Sequence, residues 1–322
     1  MADSNDKPSH TTLGMDEALE TIKRVERAFA NRGMTISSSS SLGALFSKVH
    51  RLAREASEVR ELQSDAAKKR LADVRTRFFR QANHAVRIAR AVEEALDDDE
   101  AKEAIHRVRI SNMNLTDRSW SLGKDALWEL DLHRWFKLGN VPVRFEEPDL
   151  IVSLGETLGD YAVACKKAHS EKNIHNSFSE GCKQIAKHGR PGIVAFNLDD
   201  LTPDEEGTDS TTGDEEKPTP TQDELRAQHD AMNTKFILDN AKLFQAALER
   251  GDCDGILVVR SLLTDTCDTK LRTQLNRTSA VWNHGTGPEA KARFNAFLAC
   301  FESARRRLAE SSSIGCETVF TS

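Results

Sequence analysis

The chain has 322 residues, 38% hydrophobic and 30% charged, enough to bury a core in each of two modest domains. A formal net charge of −6 would repel nucleic acid if spread evenly, but residues 51–90 hold eleven Lys/Arg against five Asp/Glu, while 204–224 hold nine Asp/Glu and only Lys217. No run approaches the about eighteen apolar residues of a membrane span. The six cysteines form no CxxC pair, which disfavours a zinc site and points to a reduced, cytoplasmic protein.

The opening stretch, MADSNDKPSH, has no apolar centre and reads as the start of a disordered tail over 1–14, not as a signal peptide. Ala18, Leu19, Ile22, Val25 and Phe29 recur at helical spacing over 16–31, and Gly33 supplies the stop. The serine run 37–41 is a connection that can cap the next helix. From 42 to 96 the apolar period stays helical without Pro or Gly after Ala44, as one long helix or a helical hairpin broken near 64–69. A further turn or two spans 101–109, and 111–122 reads as a linker. These helices form an all-α unit, 15–112, offering a surface for DNA, a partner protein or a second copy of the chain.

The period changes in the second unit, 113–322. A helix over 124–138 ends at Gly139, and three short strand-like runs follow at 141–145, 150–154 and 161–165. A helix at 173–188 leads to a buried-type strand at 191–198. Residues 202–224 are an acidic loop too polar to pack. A helix over 225–250, a strand at 255–262, an irregular stretch over 264–290 and a last helix over 290–309 complete the chain. Helices around such strands predict an α/β fold with a mixed sheet flanked by helices.

Within this unit, VRFEEPDLIVSL and YAVACKK place Asp149 and Lys166 at one end of two paired strands. Phosphodiester hydrolysis needs a divalent ion to polarise the phosphate and activate water. Mg²⁺ takes hard oxygen ligands, and a nearby lysine can orient the attacking water. Convergent strand ends suit that chemistry.

These residues resemble the PD-(D/E)xK nuclease superfamily, whose fold is restriction-endonuclease-like. Pro148-Asp149 matches the first half of its pattern, and Lys166, preceded by Cys165, matches the second. Glu129 stands where the preceding helix often supplies an acid, and Gln184 where RecB-like members carry a glutamine; the likeness covers about 125–262. The resemblance implies a Mg²⁺- or Mn²⁺-dependent DNA nuclease, RNA not being excluded. Asp149 and the backbone carbonyl of Cys165 would hold the metal, Lys166 would position water, Glu129 would support the metal and Gln184 would arrange the site. By analogy it also implies a place in prokaryotic restriction or antiphage defence, with a regulatory partner or homo-oligomer formed through the N-terminal helices.

The departure is Ala164, where the second acid should stand. Three readings stay open. The alanine replaces a glutamate and silences the site. The acid has moved to Glu180, fourteen residues past Lys166 and four before Gln184. Or the chain is a non-catalytic pseudonuclease that binds nucleic acid or serves assembly. His169, His175 and His188 share no ligand spacing and read as polar surface. Trp120, Trp128, Trp135 and Trp282 read as core rather than as stacking platforms.

Overall fold

A computed structural model describes residues 14–62, 64–202, 221–267 and 271–311, apart from the side chains of 222, 262–267, 271–274, 276 and 309–311. Residues 1–13 of the tail expected over 1–14, and residues 203–220 of the acidic loop, lie outside the described residues.

Three helices begin the chain: α1 (Met15–Asn31), α2 (Ser41–Arg60) and α3 (Asp65–Ala95). The 42–96 pattern is therefore a hairpin. The break falls at 61–64, just ahead of the expected position, and each half is capped by a serine: the Ser40 hydroxyl accepts from the Gly43 N–H and that of Ser64 from the Ala67 N–H. A short α4 (Lys102–Ile110) precedes α5 (Leu122–Leu138). α5 is buried on almost every side, which its sequence disguises because Lys124, Glu129, Asp131 and His133 are among the buried residues.

The sheet has six strands in spatial order β1 (Val143–Glu146), β2 (Asp149–Ser153), β3 (Asp160–Lys167), β4 (Gly192–Asn197), β5 (Gly255–Cys267) and β6 (Leu271–Trp282). β1, β2 and β3 are antiparallel, β4 and β5 continue parallel to β3, and β6 closes a long antiparallel hairpin with β5. The parallel step from β3 to β4 is made by α6 (Ile174–Lys187), and that from β4 to β5 by α7 (Gln222–Asp239) and α8 (Ala241–Arg250). The chain is thus mixed α/β, with helices at its N-terminus.

Two stretches differ from the sequence reading. The single helix expected over 225–250 is two helices that meet at Asn240. The stretch expected to be irregular contains β6. Its buried residues include Arg277, Thr278 and Ser279, so a buried strand carries the composition of an exposed one. Two of them have partners inside: the Thr278 hydroxyl accepts from Asn233 Nδ2 at 2.9 Å, and Arg277 lies 3.8 Å from Asp131 with its guanidinium 4.9 Å from the centre of the Trp135 ring.

Alternation along the central strands divides the interior into two apolar clusters. Leu150, Val152, Val163, Cys165, Ile193, Ala195 and Leu257 face α5 and α9 (Pro288–Ser311), in a cluster that continues without interruption into α1–α4. Ile151, Ala162, Ala164, Val194, Phe196 and Ile256 face α6, α7 and α8. Trp128 fastens α5 to the sheet, its indole N–H donating to the Ala195 carbonyl at 3.0 Å. No helix among the described residues is long and apolar enough to cross a membrane.

Candidate active site

β2 runs antiparallel to β3, so its first residue lies near the carboxyl end of β3. Glu146 pairs with Asp149 across the two-residue Glu147-Pro148 turn, which starts β2 at the aspartate itself. Asp149 Oδ2 accepts a hydrogen bond of 2.6 Å from the backbone N–H of Cys165. Its carboxyl is half-buried and pushed well above the usual carboxylate range, by burial first and by the Glu129 charge second, against the pull of Lys166 and the Cys165 amide. Glu129, on the sheet-facing side of α5, is raised in the same way by burial, offset by Arg107, whose guanidinium meets both carboxylate oxygens at 3.3 and 2.9 Å. The Cys165 thiol faces this cluster and is pushed up by burial, then by the charges of Asp149 and Glu129. Asp149, Glu129, Cys165 and Lys166 are therefore electrostatic neighbours, as the sequence suggested.

The α6 side of the strand pair is different. Ala164 is fully buried in the apolar cluster under α6. Lys166 follows on the same face, and α6 passes close over it because Gly181 has no side chain: a Cβ there would lie 3.0 Å from Val194 Cγ2 and 3.5 Å from Lys166 Cε. Glu180, next to that glycine, points to solvent, and the charges acting on Asp149 are those of Glu129, Lys166 and Glu147. The acid on α5, not the acid on α6, meets Asp149. Gln184 is half-buried on α6 with its Oε1 lacking a hydrogen-bond partner, an acceptor still to be satisfied.

A second polar cluster occupies the same sheet end and was missed from sequence. His169, expected on the surface, is half-buried and held at both ring nitrogens: Nδ1 lies 2.6 Å from Asp200 and Nε2 3.0 Å from Asp125. Burial opposes its protonation, but the two carboxylates outweigh it and raise its pKa. Lys167 pairs with Asp200 at 2.8 Å and donates to Asn197 Oδ1 at 3.1 Å. Arg87 of α3 reaches Asp131 at 2.7 Å and Asp199 at 2.9 Å. The signal was present as alternating Lys, His and Asp after β3 and β4, but nothing local separates such residues from a solvated loop.

The tryptophans divide. Trp128 and Trp135 are core, Trp282 is half-buried, and Trp120, expected in the core, is 62% exposed. The linker expected over 111–122 is a braced loop rather than a spacer. Among the described residues, no group of three or more His, Cys, Asp or Glu side chains is arranged to enclose a metal ion. What Asp149 and Glu129 do offer is two carboxylates of raised proton affinity, the Glu129 charge acting on Asp149, beside a strand carbonyl. That donor set fits hydrated Mg²⁺, which keeps several waters and takes one or two protein carboxylates.

No protein-family model, curated protein or solved structure matches the chain.

Proposed function

We propose that this protein is a metal-dependent nuclease of the PD-(D/E)xK, restriction-endonuclease-like class, acting on DNA, with Glu129 in the role usually taken by the acid missing at position 164. The observation that carries the reading is the convergence of Asp149, Glu129, Cys165 and Lys166 at one end of β2 and β3. The order α5-β1-β2-β3-α6-β4, antiparallel through β3 and then parallel, supports the fold assignment.

Asp149 and Glu129, with the Cys165 carbonyl, would hold Mg²⁺ or Mn²⁺. The bound ion would polarise the scissile phosphate and lower the pKa of attacking water. Lys166, over which α6 passes closely at Gly181, would neutralise charge building on the phosphate and orient that water. Arg107 favours the ionised form of Glu129 that burial opposes, and Gln184 would arrange the site from α6, where its oxygen is buried without a partner. A role in restriction or antiphage defence, and a regulatory partner or second copy on the N-terminal helices, extends this reading. The exposed basic residues Arg51, Arg54, Lys68, Lys69 and Arg75 on α2 and α3 suit such contacts.

A second reading, a non-catalytic nucleic-acid-binding or assembly protein, is favoured by Ala164 in its apolar setting and by Arg107 already occupying Glu129. Incubation with supercoiled plasmid and Mg²⁺ or Mn²⁺ separates the two. Slow nicking is expected, lost in Asp149→Asn, Glu129→Gln and Lys166→Ala and kept in Glu180→Gln. Cutting by Ala164→Glu alone would return the second acid to position 164. No cutting by either the unaltered chain or Ala164→Glu would leave the non-catalytic reading standing.

A further inference from the structure

Trp120 lies 62% exposed at the entrance to α5, on the loop between α4 and that helix, beside Leu122 at 47%. A lone exposed tryptophan on a mobile loop would mean little. This loop is held by a dense set of bonds. Asp117 accepts from the Ser119 N–H at 2.8 Å, the Ser119 hydroxyl at 2.6 Å and the Asn112 amide at 2.9 Å, which together hold its pKa down at about 2. The Ser121 hydroxyl donates to the Asn112 carbonyl at 2.7 Å and caps α5 through the Gly123 N–H. Lys124, only 2% exposed, uses its ammonium to tie down the carbonyls of Asp117 and Ser119, the latter at 2.9 Å. Burying a lysine is costly unless its charge is needed where it sits. Here its work is to fix the backbone immediately before the tryptophan.

The ring itself is oriented. Trp120 Nε1 donates to Asp125 Oδ2 at 3.2 Å, and the other oxygen of Asp125 lies 3.0 Å from His169 Nε2. His169 follows Lys166 by three residues, and Asp125 lies one helical turn before Glu129, whose carboxyl it acts on. The tryptophan is thus held by its indole N–H with most of its surface exposed, on the same sheet end as the candidate active site. Its exposed neighbour Arg118 is fixed in turn, donating to the Thr202 carbonyl at 2.6 Å.

We infer that Trp120 is a stacking platform for an unpaired nucleobase, so that the site receives single-stranded or frayed nucleic acid rather than an intact duplex. This rests on the nucleic-acid reading of the neighbouring site. A π-face presented without a hydrogen-bonding edge suits sequence-tolerant stacking, which contributes about 1–3 kcal/mol per base. The adjoining Arg118 supplies positive charge that an approaching phosphate chain needs.

Fluorescence anisotropy with a labelled oligonucleotide of about sixteen thymidines, and with the corresponding duplex, tests this in EDTA, where cutting cannot interfere. Trp120→Ala is expected to weaken single-strand binding about 5- to 150-fold, the equivalent of about 1–3 kcal/mol. Trp120→Phe keeps most of the affinity, duplex binding is unmoved by either change, and binding quenches tryptophan fluorescence in the parent but not in Trp120→Phe. An unchanged melting temperature shows that the exposed-site variants fold. Equal single-strand affinity in Trp120→Ala overturns the inference, as does a parent that binds no single strand. So does concentration-dependent self-association abolished by Trp120→Ala with oligonucleotide affinity intact, which would make the surface a protein interface. Trp120-dependent binding without metal-dependent cutting keeps the platform and removes the nuclease; cutting that is indifferent to Trp120 does the reverse.

Discussion

Asp149 and Glu129 each hold a proton more tightly than a free carboxylate does, and the cause in both is burial first. A folded-state pKa raised above the unfolded value, about 4 for carboxylates, means that stability falls as pH rises from that value through the raised one. At neutral pH burial of this pair is therefore a cost to the fold that a cation would relieve. Asp149→Asn is expected to raise the melting temperature in EDTA at pH 7.5, by roughly 2 °C per kcal/mol relieved. Millimolar Mg²⁺ should raise it in the parent and leave the variant unmoved. Differential scanning fluorimetry reads both, and a parent indifferent to Mg²⁺ and Mn²⁺ would count against these carboxylates as a metal site. At this scale Asp149, Lys166, Glu129 and Cys165 were legible in the sequence, because strand alternation and the helix period set which side chains converge. The preference for Glu129 over Glu180 was not, since it depends on which helix covers which face.

Arg87 shows what holds the elements in place around that site. It is fully enclosed, reaching from α3 to Asp131 on α5 and to Asp199 beyond β4, and its two carboxylate partners outweigh burial in raising its pKa. Asp199 in turn accepts from the Ser261 N–H on β5 at 2.7 Å, so one guanidinium links the N-terminal helices to the centre of the sheet. Removing one partner of a buried ion pair strands the other, at about 3–5 kcal/mol. Arg87→Met should lower the urea midpoint accordingly with an unchanged denaturant slope; a shift under about 1 kcal/mol would show that the carboxylates find other partners or water. Most elements were legible from period and punctuation. β6 was not, because Arg277 and Thr278 are buried against partners far away in sequence. The α7–α8 break at Asn240 was also missed, since the apolar residues carry on through it.

Three histidines govern how the whole molecule responds to acid. His84, His133 and His229 are each pushed down to about 4, by burial first. Their protons bind the unfolded chain more tightly, so the stability they allow is full above the unfolded value of about 6.5 and is lost as pH falls toward about 4. Asp149, Glu129, Asp230 and His169, all raised, act in the opposite sense, while Asp117 and Asp199, held down by their partners, add to the loss on acidification. Melting temperature is expected to drop between pH 6.5 and 4. His133→Phe should flatten the drop, because His133 is enclosed and already lies 4.4 Å ring to ring from Phe145. A parallel pH profile for that variant would show that the histidine finds a proton acceptor on acidification.

Patterning by itself determined the α/β class, the helical N-terminus and the hairpin of short strands that carries Asp149 and Lys166, because each depends on residues close in sequence. Tertiary structure decided what depends on distant partners. It buried Ala164 under α6 and brought Glu129 rather than Glu180 to Asp149. It set His169 between two aspartates, and it turned Trp120 outward on a loop held by a buried lysine. A side chain's neighbours across the sheet, and the water they exclude, are fixed only when all the layers meet.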